Sequence, residues 1–230
     1  MKIELHDSIL KQVPNFKVGF IFYKDIVIDE SPQMLKGRLD FFQEKIAADL
    51  HEQTVLDYKG VLEWRDIFKK LDIDPTRYRP SHEALFRRVA KGKRLPFLNS
   101  AVDLNNFFSL QYEIPIGLYN KDVLQDYIKI FIGTKNERLE GLNHRINNME
   151  GKIVSVDSIG PFGSPIVDSH RSKVETTTRN AVQIFYLQPS LPLNKSEQLL
   201  QSAAKMFTQL HSGESSIFLL HQESSEIDVC

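Results

Sequence analysis

The stretch RLPFLNSAVDLNNFFSLQYEIPIGLYN, residues 94–120, constrains the fold more than any other part of the chain. Within it Ala101, Leu104, Phe107 and Phe108 share one face of a helix. A solvent-facing side would carry Lys or Glu. Here the other face carries Asp103, Asn105, Asn106 and Ser109, with Val102 and Leu110 among them. Short amides and a short acid between apolar neighbours mark this face as partly buried too. Buried polar groups need hydrogen-bond partners, so this helix is expected to organise a polar interior. Ser100 is placed to cap it, with Asp103 three residues on as an imperfect capping box. Ile114 to Tyr119 reads as a turn leading into an Asn120-Lys121-Asp122 connector.

Periodicity predicts the surrounding elements. Phe16, Val18, Phe20 and Phe22 alternate as a strand over 15–23, with a second piece over 25–29. Ser31-Pro32 opens a helix whose stripe is Leu35, Leu39, Phe42 and Ile46. Val61, Trp64, Ile67, Phe68 and Leu71 predict another, with Trp64 in the core. After a loop at 72–80, Ser81 caps a helix that turns Leu85, Phe86 and Val89 inward and stops before Gly92. Strands follow at 128–132, 152–156, 181–187 and 216–220, and an amphipathic helix at 195–211. Residues 136–148 read as polar and mixed, 157–169 as loop, and 221–230 as a polar tail. Strands and helices without regular βαβ alternation predict an α+β fold. With no repeat and no low-complexity linker, residues 1–230 are expected to form one domain.

Charge narrows the function. A net charge of −1 and a pI near 6.7 argue against a general nucleic-acid sponge. A local patch remains open: Arg77, Arg79, Arg87, Arg88, Lys91, Lys93 and Arg94 crowd around a lone Glu83. One reading is a solvated helix face with cations at its C-terminus, where the dipole favours them. The other is a phosphate-contacting surface. The single cysteine, Cys230, is terminal, so neither an internal disulfide nor a Cys-based metal site is expected. No membrane span and no signal-peptide pattern are legible, which points to the cytoplasm. No metal, P-loop, dinucleotide or G-x-S-x-G motif occurs, so no cofactor is expected.

The loop from Gly160 to Arg171 is where chemistry would sit. Gly160 and Gly163 permit close backbone approach, and Ser164, Asp168, Ser169, His170 and Arg171 follow. One reading is a surface loop with an Asx turn at Asp168 and a solvated His170. The other is a pocket in which Gly163 amides line the wall and Arg171 fixes an anion. Gln183, on the strand beyond, is expected to look into the same space, with Asp103 and Asn106 as further polar anchors. The Thr176-Thr177-Thr178 run caps a turn or offers one hydroxyl to the pocket.

Two segments carry a family resemblance. VDLNNFFSLQYEIPIGLYN resembles the VD-x-x-N-…-L-…-P-…-(H/G)-x-(F/Y)-D run of the B3/B4 domain of bacterial phenylalanyl-tRNA synthetase β-subunits. Upstream, RPSHEALFRRV from Arg79 to Val89 is similar to the RPS-x-EAL-x-RRV segment of free-standing B3/B4 proteins. The likeness spans residues 79–188. It implies a three-layer α/β arrangement around a β-sandwich, and tRNA or aminoacyl-tRNA as partner. In the synthetase this domain hydrolyses tyrosine wrongly esterified to the phenylalanine tRNA, in a pocket formed partly by a glycine-rich loop. Ester hydrolysis needs a positioned water and donors for the oxyanion, not a covalent nucleophile. Under that reading His170 or Asp168 orients the water. Asp103, Asn106, Gly160, Gly163, Ser164, Arg171 and Gln183 hold the ligand, and Arg87, Arg88, Lys91 and Arg94 contact tRNA. Two departures count against hydrolysis: Gly117 stands where the family motif often has His, and Asn120 where it usually has Asp. The expectation is a tRNA-related module that binds or proofreads mischarged aminoacyl-tRNA in trans. The alternatives are a non-catalytic site for an amino-acid-like small ligand, and a scaffold whose basic helix contacts RNA. Nothing resembles an aminoacylation domain or ATP site, so the chain is no complete ligase.

Overall fold

The structure, a computed structural model, describes residues 1–229. In chain order its elements are β1 (Lys2–Leu5), α1 (Asp7–Leu10), β2 (Lys17–Lys24), α2 (Gln33–Asp49), α3 (Lys59–Lys70), α4 (Ser81–Ala90) and α5 (Ser100–Tyr112). Then come β3 (Ile116–Asn120), β4 (Tyr127–Ile132), β5 (Arg138–Glu140), β6 (Ile146–Asn148), β7 (Ile153–Val156) and β8 (Pro161–Gly163). The last are β9 (Ala181–Leu187), α6 (Leu193–His211), β10 (Glu214–Leu220) and β11 (Glu226–Asp228). The fold is α+β, as the irregular order of elements predicts.

Two sheets carry the architecture. One runs β11-β1-β4-β7-β8, the other β10-β2-β9-β3, and β5 and β6 make a separate hairpin. Strand alternation assigns each face of the four-stranded sheet. Phe20, Ile184, Gly117 and Tyr119 share one face by register. That face meets the other sheet: the Tyr186 and Ser155 hydroxyls lie 2.8 Å apart, and Phe162 packs edge-on to Tyr119. Gly19, Tyr23, Gln183 and Phe185 take the opposite face, under the helices. A side chain at Gly19 would strike Leu200 of α6, and the Tyr23 ring lies 4.0 Å from that of Phe207. The layers are therefore helices, sheet, sheet.

Helix α5 is enclosed, as its composition requires. Asp103, Asn105 and Ser109 are all buried in α5. Asp103 accepts from the Ser31 hydroxyl at 2.5 Å and the Leu98 amide at 3.0 Å. Asn105 donates to the Ile116 carbonyl at 3.1 Å and accepts from Gln183 at 2.8 Å. The cap is Asn99, whose side chain accepts from the Val102 amide. Ser100 instead joins the Asp29 amide and His211 Nε2. Trp64 is fully buried in the core.

Several expectations shift. Residues 116–119 form β3 instead of a turn, and 25–29 form no strand. The polar 136–148 stretch holds the β5–β6 hairpin, the 157–169 loop contains β8, and the C-terminal tail supplies β11. Leu85 is only partly buried. The Thr run ends in a turn, where the Glu175 amide donates to the Thr178 hydroxyl.

Candidate functional site

The helix amides and the glycine loop do not share one cavity. Gln183 turns toward α5, where it also accepts from the Tyr23 hydroxyl at 2.8 Å. Gly163 lies on the far side of that sheet, paired with Ser155 in the second sheet. The β2-β9-β3 ladder stands between them. Asp103 and Asn106, on α5, belong to the helix side with Gln183.

On the inter-sheet side, the space beside Gly163 is filled by Tyr119. A Cβ built on either Gly117 or Gly163 would overlap the Tyr119 hydroxyl. Both glycines are thus needed for the ring to fit. The hydroxyl donates to Asp168 at 2.6 Å, and the ring is wholly buried. Burial pushes the Asp168 carboxyl up to about 6, and the Tyr119 bond opposes that rise. Burial, then the Asp168 charge, holds the Tyr119 phenol well above its ordinary value. A carboxyl raised in this way has the character of a general acid or base. Here its partner is a buried side chain of the same protein.

The loop carrying Asp168 is clamped at its base. Arg171 makes a bidentate pair with Asp157, at 2.5 and 3.2 Å, and donates to the Gly160 carbonyl at 2.7 Å. Asp157 is fully buried on its side chain and also accepts from the Gln125, Ile159 and Gly160 amides. Arg171, expected as an anion anchor, is thereby engaged with a carboxylate of the protein itself. Gly160 has φ +141°, a conformation that side chains rarely adopt. Ser164 is spent on its own turn, accepting from the Ile166 and Val167 amides. His170 is half-buried, its ring 4.2 Å from that of His144 in the β5–β6 turn. Among the described residues, no group of three or more His, Cys, Asp or Glu is arranged to hold a metal.

A second candidate lies on α4. Arg79, Ala84, Arg87, Arg88, Lys91 and Lys93 line an open cleft of about 260 Å³. The lone Glu83 is inside the protein, bonded to Arg65 at 2.9 Å and to Arg87 at 2.7 Å. Arg79, Arg88, Lys91 and Lys93 have no carboxylate partner among the described residues. Arg94 differs from the expected set. It turns away to Asp40 and Glu44, each at 2.7 Å, and those bonds raise its pKa further. The signal that would have ranked these cations was absent from the local sequence, because Asp40 and Glu44 lie about fifty residues upstream of Arg94.

Comparison with known proteins gives three findings. The family model for the B3/4 domain matches residues 63–209, a span that contains the 79–188 likeness. The uncharacterized protein YhzB of Bacillus subtilis (strain 168) is 29% identical over 220 residues, covering 96% of this chain and 100% of that protein. A solved N-terminal fragment of the phenylalanyl-tRNA synthetase β-subunit from Pyrococcus horikoshii aligns over 94% of this chain at 14% identity, with a TM-score of 0.44. This chain spans 49% of that fragment. With nearly two thirds of its length inside the family match, the chain belongs to the B3/4 domain family.

Proposed function

We propose that this chain is a tRNA-related B3/4 module that binds RNA through the α4 cleft and does not hydrolyse an aminoacyl ester. In this reading residues 1–230 act as one domain. The observation that carries it is the cleft: four cations without carboxylate partners, plus Arg87, converge on one open surface. Phosphate is the ligand such a surface favours, because each neutralised phosphate releases condensed counterions. Hydrolysis loses support at the inter-sheet hollow. The space beside Gly163 holds Tyr119, and Asp168 bonds its hydroxyl. Small-ligand binding through the helix face loses support at two of its expected anchors, since Asp103 accepts from Ser31 and Leu98, and Gln183 is held by Asn105 and Tyr23.

Binding of an unmodified tRNA pool, followed across salt concentration, tests the reading. Affinity should fall steeply with salt, and Arg88→Ala/Lys91→Ala should reduce the log–log slope by about 1.4–1.8. No binding at low salt, or an unchanged slope in the double variant, refutes the cleft. Release of amino acid from a mischarged tRNA panel above the uncatalysed rate would restore hydrolysis.

A further inference from the structure

Four strands end the two main sheets: β11 and β8 in one, β10 and β3 in the other. An edge strand presents unpaired backbone donors and acceptors. Proteins blunt such edges with charge, proline, a bulge, brevity or a cover. Three of these edges are blunted. β11 is three residues long, with Glu226 and Asp228 either side of Ile227. β8 is equally short, begins with Pro161 and sits at a register shift beside Ser155 and Val156. β3 is buried over residues 116–119, and Asn105 covers its Ile116 carbonyl.

β10 carries a single charge, Glu214 at its first position, and is neither short nor interrupted by proline or a bulge. It pairs with β2 over seven residues without a shift. Its sequence, ESSIFLL, holds no proline and no lysine. Among the described residues no further backbone hydrogen bond reaches residues 214–220. Glu214, Ser215 and Ser216 are exposed, and Ile217, Phe218 and Leu219 stay half-exposed. Their neighbours across the ladder, Phe20 and Ile21, are fully buried.

We propose that β10 is a self-association edge, along which two copies of this chain pair antiparallel and join their four-stranded sheets into one. Backbone groups along an open edge are met by another strand. A second copy fits because the strand is self-complementary about Phe218, as a two-fold interface requires. That register sets Phe218 against Phe218 and Ile217 against Leu219. The one charged residue of the strand, Glu214, falls opposite Gln222 of the second copy. No like charges meet, and the apolar pairs stabilise the ladder.

Sedimentation equilibrium on the full chain tests this. The wild type should populate a dimer at micromolar concentration, and Ser215→Lys/Ser216→Lys should weaken it at least tenfold with an unchanged melting temperature. Phe218→Cys in a Cys230→Ser background should cross-link to a covalent dimer on mild oxidation. Ser202→Cys, exposed on α6, should not. A chain that stays monomeric, or a dimer indifferent to the lysines and uncrosslinked at position 218, overturns the proposal. Because the α4 cleft plays no part, failure here leaves the RNA-binding reading untouched.

Discussion

In the inter-sheet hollow nearly every polar side chain has found a partner inside the protein. Tyr119 meets Asp168, Arg171 meets Asp157, and Tyr186 meets Ser155. On the α4 cleft, Arg79, Arg88, Lys91 and Lys93 meet no carboxylate among the described residues. The first region carries what sequence reasoning takes for catalytic residues, and it is closed. The second carries what passes for an ordinary charged helix face, and it is open. Residue type alone does not separate a site from a brace; the partners already engaged do. The two regions should therefore fail differently. Substitutions in the hollow should change stability, and substitutions in the cleft should change only anion binding.

The largest effect should come from Tyr119→Ala. Removing a wholly buried ring between two glycines leaves a cavity and an unpaired Asp168, a loss of about 3–5 kcal/mol. A small phenol such as p-cresol should enter that cavity and raise the melting temperature of the variant, while leaving the wild type unmoved. If the wild type responds equally, the ring does not close the hollow and the contrast with the cleft breaks. Arg171→Ala comes next. It strips a charge partner from buried Asp157, which keeps three backbone donors, so about 2–3 kcal/mol is expected. A variant as stable as wild type in thermal melts would free Arg171 for the ligand role that its bonds now deny it.

Asp168→Asn should act through pH. The folded carboxyl titrates near 6, above its unfolded value near 3.8, so the folded state binds the extra proton between those values. Stability from this group is complete below the unfolded value and is lost as pH rises through about 6. Asn carries no such charge. The variant should gain on the order of 1–2 kcal/mol over wild type at pH 7.5 and converge with it near pH 4. Parallel melting curves across that window would mean that Asp168 is hydrated and the hollow is open.

Long elements were legible because their periods are long. β2 alternates through Val18, Phe20 and Phe22, β9 is a seven-residue, mostly apolar run buried throughout, and α3 and α6 carry stripes over three turns or more. β1, β5, β6, β8 and β11 have three or four residues each, too few for a period; β1 and β11 pair from opposite ends of the chain, while β5 with β6 and β8 with β7 pair across short connections. β3 was hidden by chemistry that imitates a turn. Pro115 and Gly117 look like breakers, yet Gly117 is there because the Tyr119 hydroxyl lies where its side chain would be. The polar interior of α5 could be read from its amides, but not which amide reaches the sheet. Asn105 meets Gln183 because the β9 register turns Gln183 toward the helices. The fate of Arg171 depended on Asp157, fourteen residues away and across a strand, which no local pattern encodes.

The smallest effect on stability, and the sharpest test of where the cleft ends, comes from comparing two adjacent cations. Lys93 lines the cleft without a carboxylate partner, whereas Arg94 is held by Asp40 and Glu44. Exposed pairs of the Arg94 kind contribute little to stability, so both Lys93→Ala and Arg94→Ala should melt near the wild-type temperature. Their RNA binding should differ. Lys93→Ala removes a phosphate contact and should lower the salt slope by about 0.7–0.9. Arg94→Ala should leave the slope alone, because its charge is already neutralised by two acids; it also frees Asp40 and Glu44, which repel phosphate and should slightly weaken binding at low salt. Equal losses of slope in the two variants would extend the binding surface across α2 and dissolve the boundary drawn between paired and unpaired charge.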